Sequence, residues 1–285
     1  MTVAPSVAGR VIRPTTVEEA VAALGARPGS RVVGGGTIVV AESSRLIDRP
    51  PSYLLLSGIP GLRGVSREGT GARIGAQTTL RELHEAAVSP VLDIALRSLA
   101  TPQIRNRATV GGNIAQRRSS HTLSPCFLAL DAAIESAGPA GTRRRSMRDF
   151  VADGLTDGEI VVAVVLPARG GFQRYTRVAP RNGPGYAIAS VAVSIDPTAR
   201  SVRSGMGGVG PTALPGGPAD DFLVGAIDWD ATTAPDGAAS EYGRLLAEAS
   251  EPVTDDRASA AYRRHALAVM GRRLVEAWTE EQQRG

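Results

Sequence analysis

The chain has 285 residues, 42% of them hydrophobic, and its 32 basic and 28 acidic residues give a formal net charge of +4. This length allows two or three subdomains with cores of their own. The absence of an apolar run of about 18 residues, and of an apolar signal-peptide core, predicts a cytoplasmic protein with no membrane partner. The single cysteine, Cys126, excludes an internal disulfide and an iron–sulfur cluster.

The first quarter of the chain alternates helix and strand signals. Thr16 and Glu19 have the spacing of a capping box, and the helix that they begin is expected to end at Gly25. Residues 31–33 are predicted as a strand leading into three glycines, and further strands are expected at 53–56 and 72–76.

The next hundred residues contain both element types. Thr79 and Glu82 predict a capped helix, and an apolar stripe predicts a second helix over 90–100. Residues 101–116 are polar and glycine-containing and are expected to be irregular. A helix over 125–132, a strand over 132–137 and a strand over 158–167 follow. The arginine-rich stretch 142–148 is expected to be a solvated turn rather than a nucleic-acid site.

After residue 170 the order changes to strands followed by helices, which is typical of an α+β domain. Strands are expected within 171–179, 186–195 and 201–210, a loop over 215–240, and helices over 240–250 and 258–278. We therefore predict one domain over 1–170, with subdomains of about 1–57 and 58–170, and a second domain over 171–285.

Two glycine loops carry the functional signal, "GGGT" at Gly34–Thr37 and "TVGGN" at Thr109–Asn113. Bare glycine backbone exposes N–H groups to an anion such as a phosphate, although a tight turn between strands explains the first loop equally well. Neither loop has Rossmann spacing. Without lysine, the chain has neither a phosphate-binding Walker lysine nor a Schiff base. The three histidines are too widely spaced for a metal site.

The segments "VVGGGTIVV" and "TPQIRNRATVGGNIA" resemble the FAD-binding subunits of molybdenum hydroxylases, the family of carbon monoxide dehydrogenase medium subunits and xanthine dehydrogenase flavin domains. The similarity continues in "DGEIVVAVVLP" and "RASAAYRRHALAVMGRRL". It implies the vanillyl-alcohol-oxidase-like (PCMH-type) flavin fold, with two α/β subdomains and a C-terminal α+β domain that combines an antiparallel sheet with helices. It also implies FAD, which we expect to be noncovalent.

Carried over position by position, the resemblance implies a set of cofactor-binding residues. They are Val33, Gly34, Gly35, Gly36, Thr37, Ile38, Ile104, Arg105, Thr109, Gly111, Gly112, Asn113 and Tyr186. Tyr186 matches an aromatic position near the isoalloxazine ring in some relatives. It is equally explained as a packed strand residue.

The chain departs from the family after the second loop, where Arg117–His121 stand in place of acidic and small residues. Relatives use an aspartate in this region to contact a ribityl or ribose hydroxyl. The resemblance implies an electron-transfer flavoprotein that works with a molybdenum-cofactor large subunit and a small subunit bearing two-iron iron–sulfur clusters. It would pass their electrons to an acceptor.

Two alternatives stay open at this stage. One is a stand-alone FAD oxidase or dehydrogenase, in which Arg117 and Arg118 recruit an anionic substrate and His121 or Tyr186 is a catalytic residue. The other is a flavin-free scaffold, which the two intact glycine loops disfavour. In the subunit hypothesis, Arg117 and Arg118 instead face an acidic partner.

Overall fold

A computed structural model describes residues 10–43, 50–69, 71–180 and 185–284, and the first unit of this fold is a small parallel sheet with two helices. The strand order is β1-β3-β2, and both neighbouring pairs are parallel. Its elements are β1 (Arg10–Ile12), α1 (Val17–Ala26), β2 (Arg31–Val33), α2 (Val39–Ser43) and β3 (Ser52–Leu55). The first nine residues of the predicted domain lie outside the described residues.

Helix α1 begins where the sequence predicts and ends later. The Thr16 hydroxyl accepts a hydrogen bond from the Glu19 N–H at 3.1 Å, and the Glu19 carboxylate reaches back to the N–H of Thr15. The expected end at Gly25 is wrong, because α1 continues to Ala26. Gly25 does not have the positive φ of a helix-ending glycine, whereas Gly29, in the following turn, has a φ of 83°.

The second unit is built on a five-stranded antiparallel sheet of order β4-β5-β8-β6-β7. Its strands are β4 (Val65–Glu68), β5 (Gly71–Gly75), β6 (Ala133–Gly138), β7 (Gly141–Ser146) and β8 (Ile160–Leu166). Its helices are α3 (Leu80–Glu85), α4 (Pro90–Ser98), α5 (Pro102–Arg105), α6 (Val110–Ala115), α7 (Leu123–Ala129) and α8 (Met147–Asp153). The apolar strand β8 is central and almost entirely buried, and Pro167 follows its end as expected.

Two expectations for this unit are wrong. The stretch 101–116 is not irregular, because Thr101 and Thr109 cap the short helices α5 and α6 through their hydroxyls. The arginine-rich stretch is not a solvated turn, because 141–146 pairs with β6 as an edge strand. Within it, Arg145 is buried and ion-paired with Glu159 at 3.0 Å. Burial disfavours the Glu159 carboxylate, but hydrogen bonds from Ser136 and Thr156 and the charge of Arg145 outweigh it, so that the pKa of Glu159 is lowered.

The third unit has a four-stranded antiparallel sheet of order β12-β11-β10-β9 followed by helices. Its elements are β9 (Phe172–Val178), β10 (Ala189–Asp196), β11 (Ser201–Gly207), β12 (Leu214–Pro215), α9 (Pro218–Ala226), α10 (Ala238–Glu248) and α11 (Ala260–Arg284). The loop expected over 215–240 contains α9, which begins with Pro218 at a position where a missing N–H costs nothing. Strands followed by helices give the predicted α+β class.

Helix α7 joins the second and third units. It packs against β10 and β11 so closely that a Cβ atom at Gly205 would lie 2.2 Å from the Pro125 carbonyl oxygen. Tyr175 and Ala192 from the third unit belong to the hydrophobic core of the second. The second and third units therefore share a core. Their packing holds residues 117–121, the loop between α6 and α7, in a fixed position.

Candidate functional site: the seam between two glycine loops

The two glycine loops lie in direct contact. A Cβ atom at Gly34 would lie 2.5 Å from the Thr109 hydroxyl oxygen, and one at Gly35 would lie 1.7 Å from the carbonyl oxygen of Arg107. We call this contact between Gly34–Thr37 and 107–113 the seam. Because the loops touch, a ligand has no room between them and would lie along their joint surface.

The N–H groups of the second loop are used inside the protein. Val110 donates to the Thr78 carbonyl at 2.9 Å, and Gly111 donates to the Ala76 carbonyl at 2.8 Å. Gly112 donates to the Thr109 hydroxyl at 3.2 Å. The second loop thus forms the start of helix α6. Because these N–H groups are bonded to other protein atoms, they are not free to bind an anion.

The first loop supplies the free donors. Within the described ranges, the N–H groups of Gly35, Gly36 and Thr37 have no hydrogen-bond acceptor. Gly36 has a φ of 75°, a conformation that glycine adopts without strain. Successive free N–H groups in a turn form an anion-binding concavity, and this one lies on the surface of the seam.

Asn113 adds an unsatisfied acceptor at the other side of the seam. Its side-chain oxygen Oδ1 is buried and has no hydrogen-bond partner among the residues that the structure describes. Buried polar atoms are nearly always hydrogen-bonded in folded proteins. The unpaired donors of the first loop and the unpaired acceptor of the second are groups that a polar ligand carrying both acceptors and donors would satisfy.

Two cavities flank the seam. An enclosed one of about 70 Å³ is lined by residues that include Gly34, Ala76, Gln77, Gly112, Ile160 and Val161. A second, of about 170 Å³, is lined by residues that include Thr37, Ile38, Leu99, Ile104, His121 and Tyr186. We name them the inner and the outer cavity. A larger cavity of about 800 Å³ contacts the first loop and the sheet of the first unit, but includes only Arg107 from the 107–113 side.

His121 and Tyr186 form one wall of the outer cavity. The imidazole is only 3% exposed, and its Nδ1 lies 2.7 Å from the Asn113 carbonyl oxygen. The Tyr186 ring is 51% exposed and stacks on the imidazole at 5.9 Å between centroids and 22° between planes. Burial lowers the pKa of His121, the Asn113 carbonyl opposes this, and the positive charge of Arg118 adds to it. The imidazole is therefore neutral at pH 7, with its proton on Nδ1.

The loop that departs from the family, residues 117–121, is tied to every unit of the fold. The Arg117 guanidinium donates to the carbonyls of Val151 and Ala152 at the end of α8. The Arg118 guanidinium pairs with Glu42 of α2 in the first unit. Arg117 is thus bound to the backbone of α8, whereas Arg118 has one internal partner and a side chain that stays 42% exposed.

Ser119 anchors the same loop to the third unit. Its carbonyl accepts a hydrogen bond from the Gly208 N–H at 2.8 Å, and its hydroxyl accepts one from the Gly210 N–H at 3.4 Å. With His121 bonded to Asn113, four of the five residues from Arg117 to His121 contact a different part of the molecule. This loop fixes the outer cavity relative to the seam.

The sequence-predicted residues divide between these features. Thr37, Ile38, Ile104 and Tyr186 line the outer cavity, and Gly34, Gly111 and Gly112 line the inner one. Val33, Gly35 and Gly36 line the larger cavity. Thr109, Asn113 and Arg105 line none of the three cavities as the described residues form them, and Arg105 donates to the carbonyls of Leu99 and Ala100.

Several lining residues were not singled out by the sequence. Gln77 lies two residues after the end of strand β5 and borders the inner cavity with Gln116, while Leu99 and Arg177 border the outer one. The position of Gln77, a buried polar residue just after a buried strand, was a usable signal. No sequence signal pointed to Arg177, because it reaches the cavity only through the packing of the third unit against the second.

Comparison with known proteins is consistent with this arrangement. A family model described as "FAD binding domain in molybdopterin dehydrogenase" matches residues 6–169, and one described as "CO dehydrogenase flavoprotein C-terminal domain" matches residues 174–278. The carbon monoxide dehydrogenase medium chain of Afipia carboxidovorans is 32% identical, over 93% of this chain and 94% of that protein. The nicotine 6-hydroxylase medium subunit of Paenarthrobacter nicotinovorans is 30% identical, over 94% and 96%.

A solved structure of reconstituted CO dehydrogenase from Oligotropha carboxidovorans matches with a TM-score of 0.86 and 29% identity, over 96% of this chain and 98% of that one. The fold and the family matches thus define a flavin-binding protein. The chain belongs to the FAD-binding family of the molybdopterin dehydrogenases. It is an FAD-dependent oxidoreductase, which confirms the resemblance, the fold class and the cofactor predicted from the motifs.

The described part of the chain contains neither a grouped set of metal ligands nor a helix suited to cross a membrane. Within it, no three His, Cys, Asp or Glu side chains are grouped to hold a metal ion. None of the helices in those ranges combines the length and apolar character that a membrane crossing requires. Cys126 is buried, and burial raises the pKa of its thiol.

Proposed function

We propose that this chain is the flavin subunit of a molybdenum hydroxylase, working with a molybdenum-cofactor large subunit and a small subunit that carries two-iron iron–sulfur clusters. The relatives described above are medium chains or medium subunits, and they match over nearly their whole length. The observation that carries the proposal is the seam, with the free N–H groups of Gly35, Gly36 and Thr37 on its first loop and the unpaired Oδ1 of Asn113 on its second.

The seam and its two cavities fit a dinucleotide. FAD has two ring systems joined by a diphosphate, and the seam offers an anion site with a cavity on each side. We assign the diphosphate to the Gly35–Thr37 N–H groups and the polar groups next to it to Asn113 and Thr109. The inner cavity, walled by Ala76, Ile160 and Val161, takes the adenine end.

The outer cavity is the better place for the flavin ring. Electron transfer requires the ring to approach another redox group, and the outer cavity is bordered by the half-exposed side chains of Ile104 and Tyr186. The inner cavity is enclosed by residues that are mostly buried. When bound, FAD would supply the redox chemistry, because a flavin can take electrons one at a time from iron–sulfur clusters and pass them on as a pair. The chain's own residues bind the cofactor, orient its ring and restrict the access of water.

The stand-alone enzyme hypothesis loses its main support. It required Arg117 and Arg118 to recruit an anionic substrate, but Arg117 is bonded to the backbone of α8 and the charge of Arg118 is paired with Glu42. His121 lines the outer cavity as a neutral imidazole, but with its Nδ1 on the Asn113 carbonyl it has a role in the cofactor site itself. The subunit function therefore agrees better with the geometry.

The test is to purify the chain alone and with its two partner subunits and to follow flavin reduction by stopped-flow absorbance. We expect about one noncovalent FAD per chain, released completely by acid precipitation. Organic substrates should reduce the flavin quickly only when both partners are present. Rapid reduction of the isolated chain by a small organic substrate would overturn the subunit proposal, and a chain that takes up no FAD would overturn FAD binding itself.

Two finer expectations also belong to this proposal. We place the boundary between the flavin domain and the C-terminal domain at 170/171, with a subdomain boundary near 57/58. This choice is supported by the way the three sheets draw on successive stretches of the chain. We place the protein in the cytoplasm, where an assembly with iron–sulfur and molybdenum subunits meets a soluble electron acceptor.

A further inference from the structure

The starting point is the unused side of the His121 imidazole. Its Nδ1 donates to the Asn113 carbonyl, so Nε2 carries no proton and is a hydrogen-bond acceptor. No donor among the described residues reaches Nε2, and the imidazole is part of the wall of the outer cavity. A buried histidine with one nitrogen satisfied by backbone presents the other to whatever fills the adjoining space.

We propose that His121 Nε2 accepts a hydrogen bond from the flavin half of FAD and thereby makes FAD affinity depend on the protonation of this one imidazole. Three contacts hold the ring in place for this task. Asn113 fixes the tautomer, Tyr186 covers one ring face, and the anchored loop positions the backbone. The inference rests on FAD binding at the seam.

The surroundings favour the neutral ring. The charged and titratable groups around it come from its own loop and from α2, α7, β9 and the segment before β10, and they are Arg118, Glu42, Cys126, Tyr175, Arg177 and Tyr186. Glu42 is already paired with Arg118, and burial raises the pKa values of Cys126 and Tyr175, so both stay neutral. No free carboxylate in the described residues adjoins the ring to stabilise an imidazolium.

Protonation would remove the acceptor. Below the pKa of His121, which burial lowers from its usual value, Nε2 becomes a donor and the bond to a flavin donor is lost. The loss of one ordinary hydrogen bond corresponds to about a tenfold loss in affinity. FAD binding should therefore weaken as the pH falls from 7.5 to 5, and this weakening should be absent wherever residue 121 cannot take a proton.

Two substitutions distinguish the role of Nδ1 from the role of Nε2. His121→Asn retains a donor at the position of Nδ1, and so the bond to Asn113, but presents nothing to the cavity. His121→Gln retains an acceptor near the position of Nε2 and loses the bond to Asn113. His265→Gln, at an exposed histidine remote from the seam, is the matched control. Each protein is freed of flavin, and its FAD dissociation constant is measured by fluorescence quenching from pH 5 to pH 8.

We expect His121→Gln to bind FAD at pH 7.5 within about threefold of the wild type and to lose the acid-side weakening. His121→Asn should bind about tenfold more weakly than the wild type at pH 7.5, and the gap should close as the pH falls to 5, with an unchanged melting temperature of the flavin-free protein. His265→Gln should reproduce the wild-type curve. If His121→Asn keeps full affinity while His121→Gln loses it, the ring acts only through Asn113 and the inference is overturned. A wild-type curve as flat as that of His121→Gln overturns it as well. Failure of the wild type to bind FAD would refute the proposed function too.

Discussion

A side chain at Gly35 would collide with the backbone of Arg107, because a Cβ atom built there lies 1.7 Å from the Arg107 carbonyl oxygen. Glycine at this position is therefore required by the contact between two loops of the same chain, in addition to any ligand. The seam is a structural joint and a binding surface at the same time. Substitutions in it should affect both stability and cofactor binding.

Gly35→Ala should destabilise the protein even without FAD. Relieving the clash requires the two loops to separate, and overpacking of this kind costs about 1–3 kcal/mol. We expect a lower melting temperature of the flavin-free protein and a lower flavin content after purification. Thermal melting and the ratio of flavin to protein absorbance measure the two effects.

The matched control is Gly25→Ala, in helix α1, where nothing lies within 4 Å of an added Cβ. It should stabilise the protein by about 0.5–1 kcal/mol, because alanine is the better helix residue. Gly112→Ala should be milder than Gly35→Ala, since its Cβ would approach only the Thr109 hydroxyl, at 2.9 Å. Equal melting temperatures for Gly35→Ala and the wild type would show that the seam is looser than described.

Asn113→Ala should weaken FAD binding and leave the stability of the flavin-free protein nearly unchanged, whereas Gly35→Ala should lower both. The Asn113 Oδ1 has no partner in the described structure, so its removal costs the flavin-free protein little. If FAD supplies the missing donor, the substitution weakens FAD binding by about 1–3 kcal/mol. Thermal melting without FAD measures the effect on stability, and titration calorimetry measures the effect on FAD binding. An unchanged affinity would place Asn113 outside the cofactor site.

The ion pair between Arg118 and Glu42 ties the loop at 117–121 to helix α2. Both side chains are partly exposed, at 42% and 30%, so the pair contributes at most about 1 kcal/mol. We expect Arg118→Gln to release FAD about threefold faster in stopped-flow displacement, because α2 begins just after the first glycine loop. The difference should shrink in high salt, which screens the pair.

A double-mutant cycle with Glu42→Gln tests whether the two residues act through each other. The double variant should release FAD no faster than the faster single variant. Glu42 also pairs with Arg31 at 3.0 Å, so Glu42→Gln is expected to have the larger single effect. Arg97→Gln, which breaks an exposed pair with Asp93 in α4, is the control and should leave the release rate unchanged. Fully additive effects of Arg118→Gln and Glu42→Gln would contradict the coupling.

Elements with strong local signals could be predicted from the sequence. Thr79 and Glu82 form the full reciprocal capping box that their spacing indicates, and the apolar run at 160–166 is the central strand of its sheet. The short helix α6 was missed because its glycines and Asn113 have low helix propensity. It forms because Thr109 caps it and because residues 76 and 78 accept its first N–H groups.

The candidate site was predictable only in part, because many of its contacts join residues that are far apart in the sequence. The glycine loops can be recognised from their composition, but the collision between Gly35 and Arg107 joins residues far apart in the chain. The stacking of Tyr186 on His121 depends on α7 packing against the third unit. Such contacts follow from tertiary packing and have no local sequence signal.

The stability of the third unit should depend on pH through the carboxyl group of Asp220. Burial raises the pKa of Asp220 from 3.8 to about 6, although Ser204 donates to both of its oxygens and opposes the shift. The folded protein therefore binds this proton more tightly than the unfolded chain, and the stabilisation from this group is present below pH 4 and is lost as the pH rises to about 6. Asp220→Asn has the same shape and no charge, so its melting temperature relative to the wild type should rise between pH 4.5 and pH 6.5. Asp221→Asn, at the exposed neighbouring position, should show no such trend when both variants are melted with saturating FAD. A constant difference between Asp220→Asn and the wild type across this range would mean that Asp220 titrates normally in the folded protein.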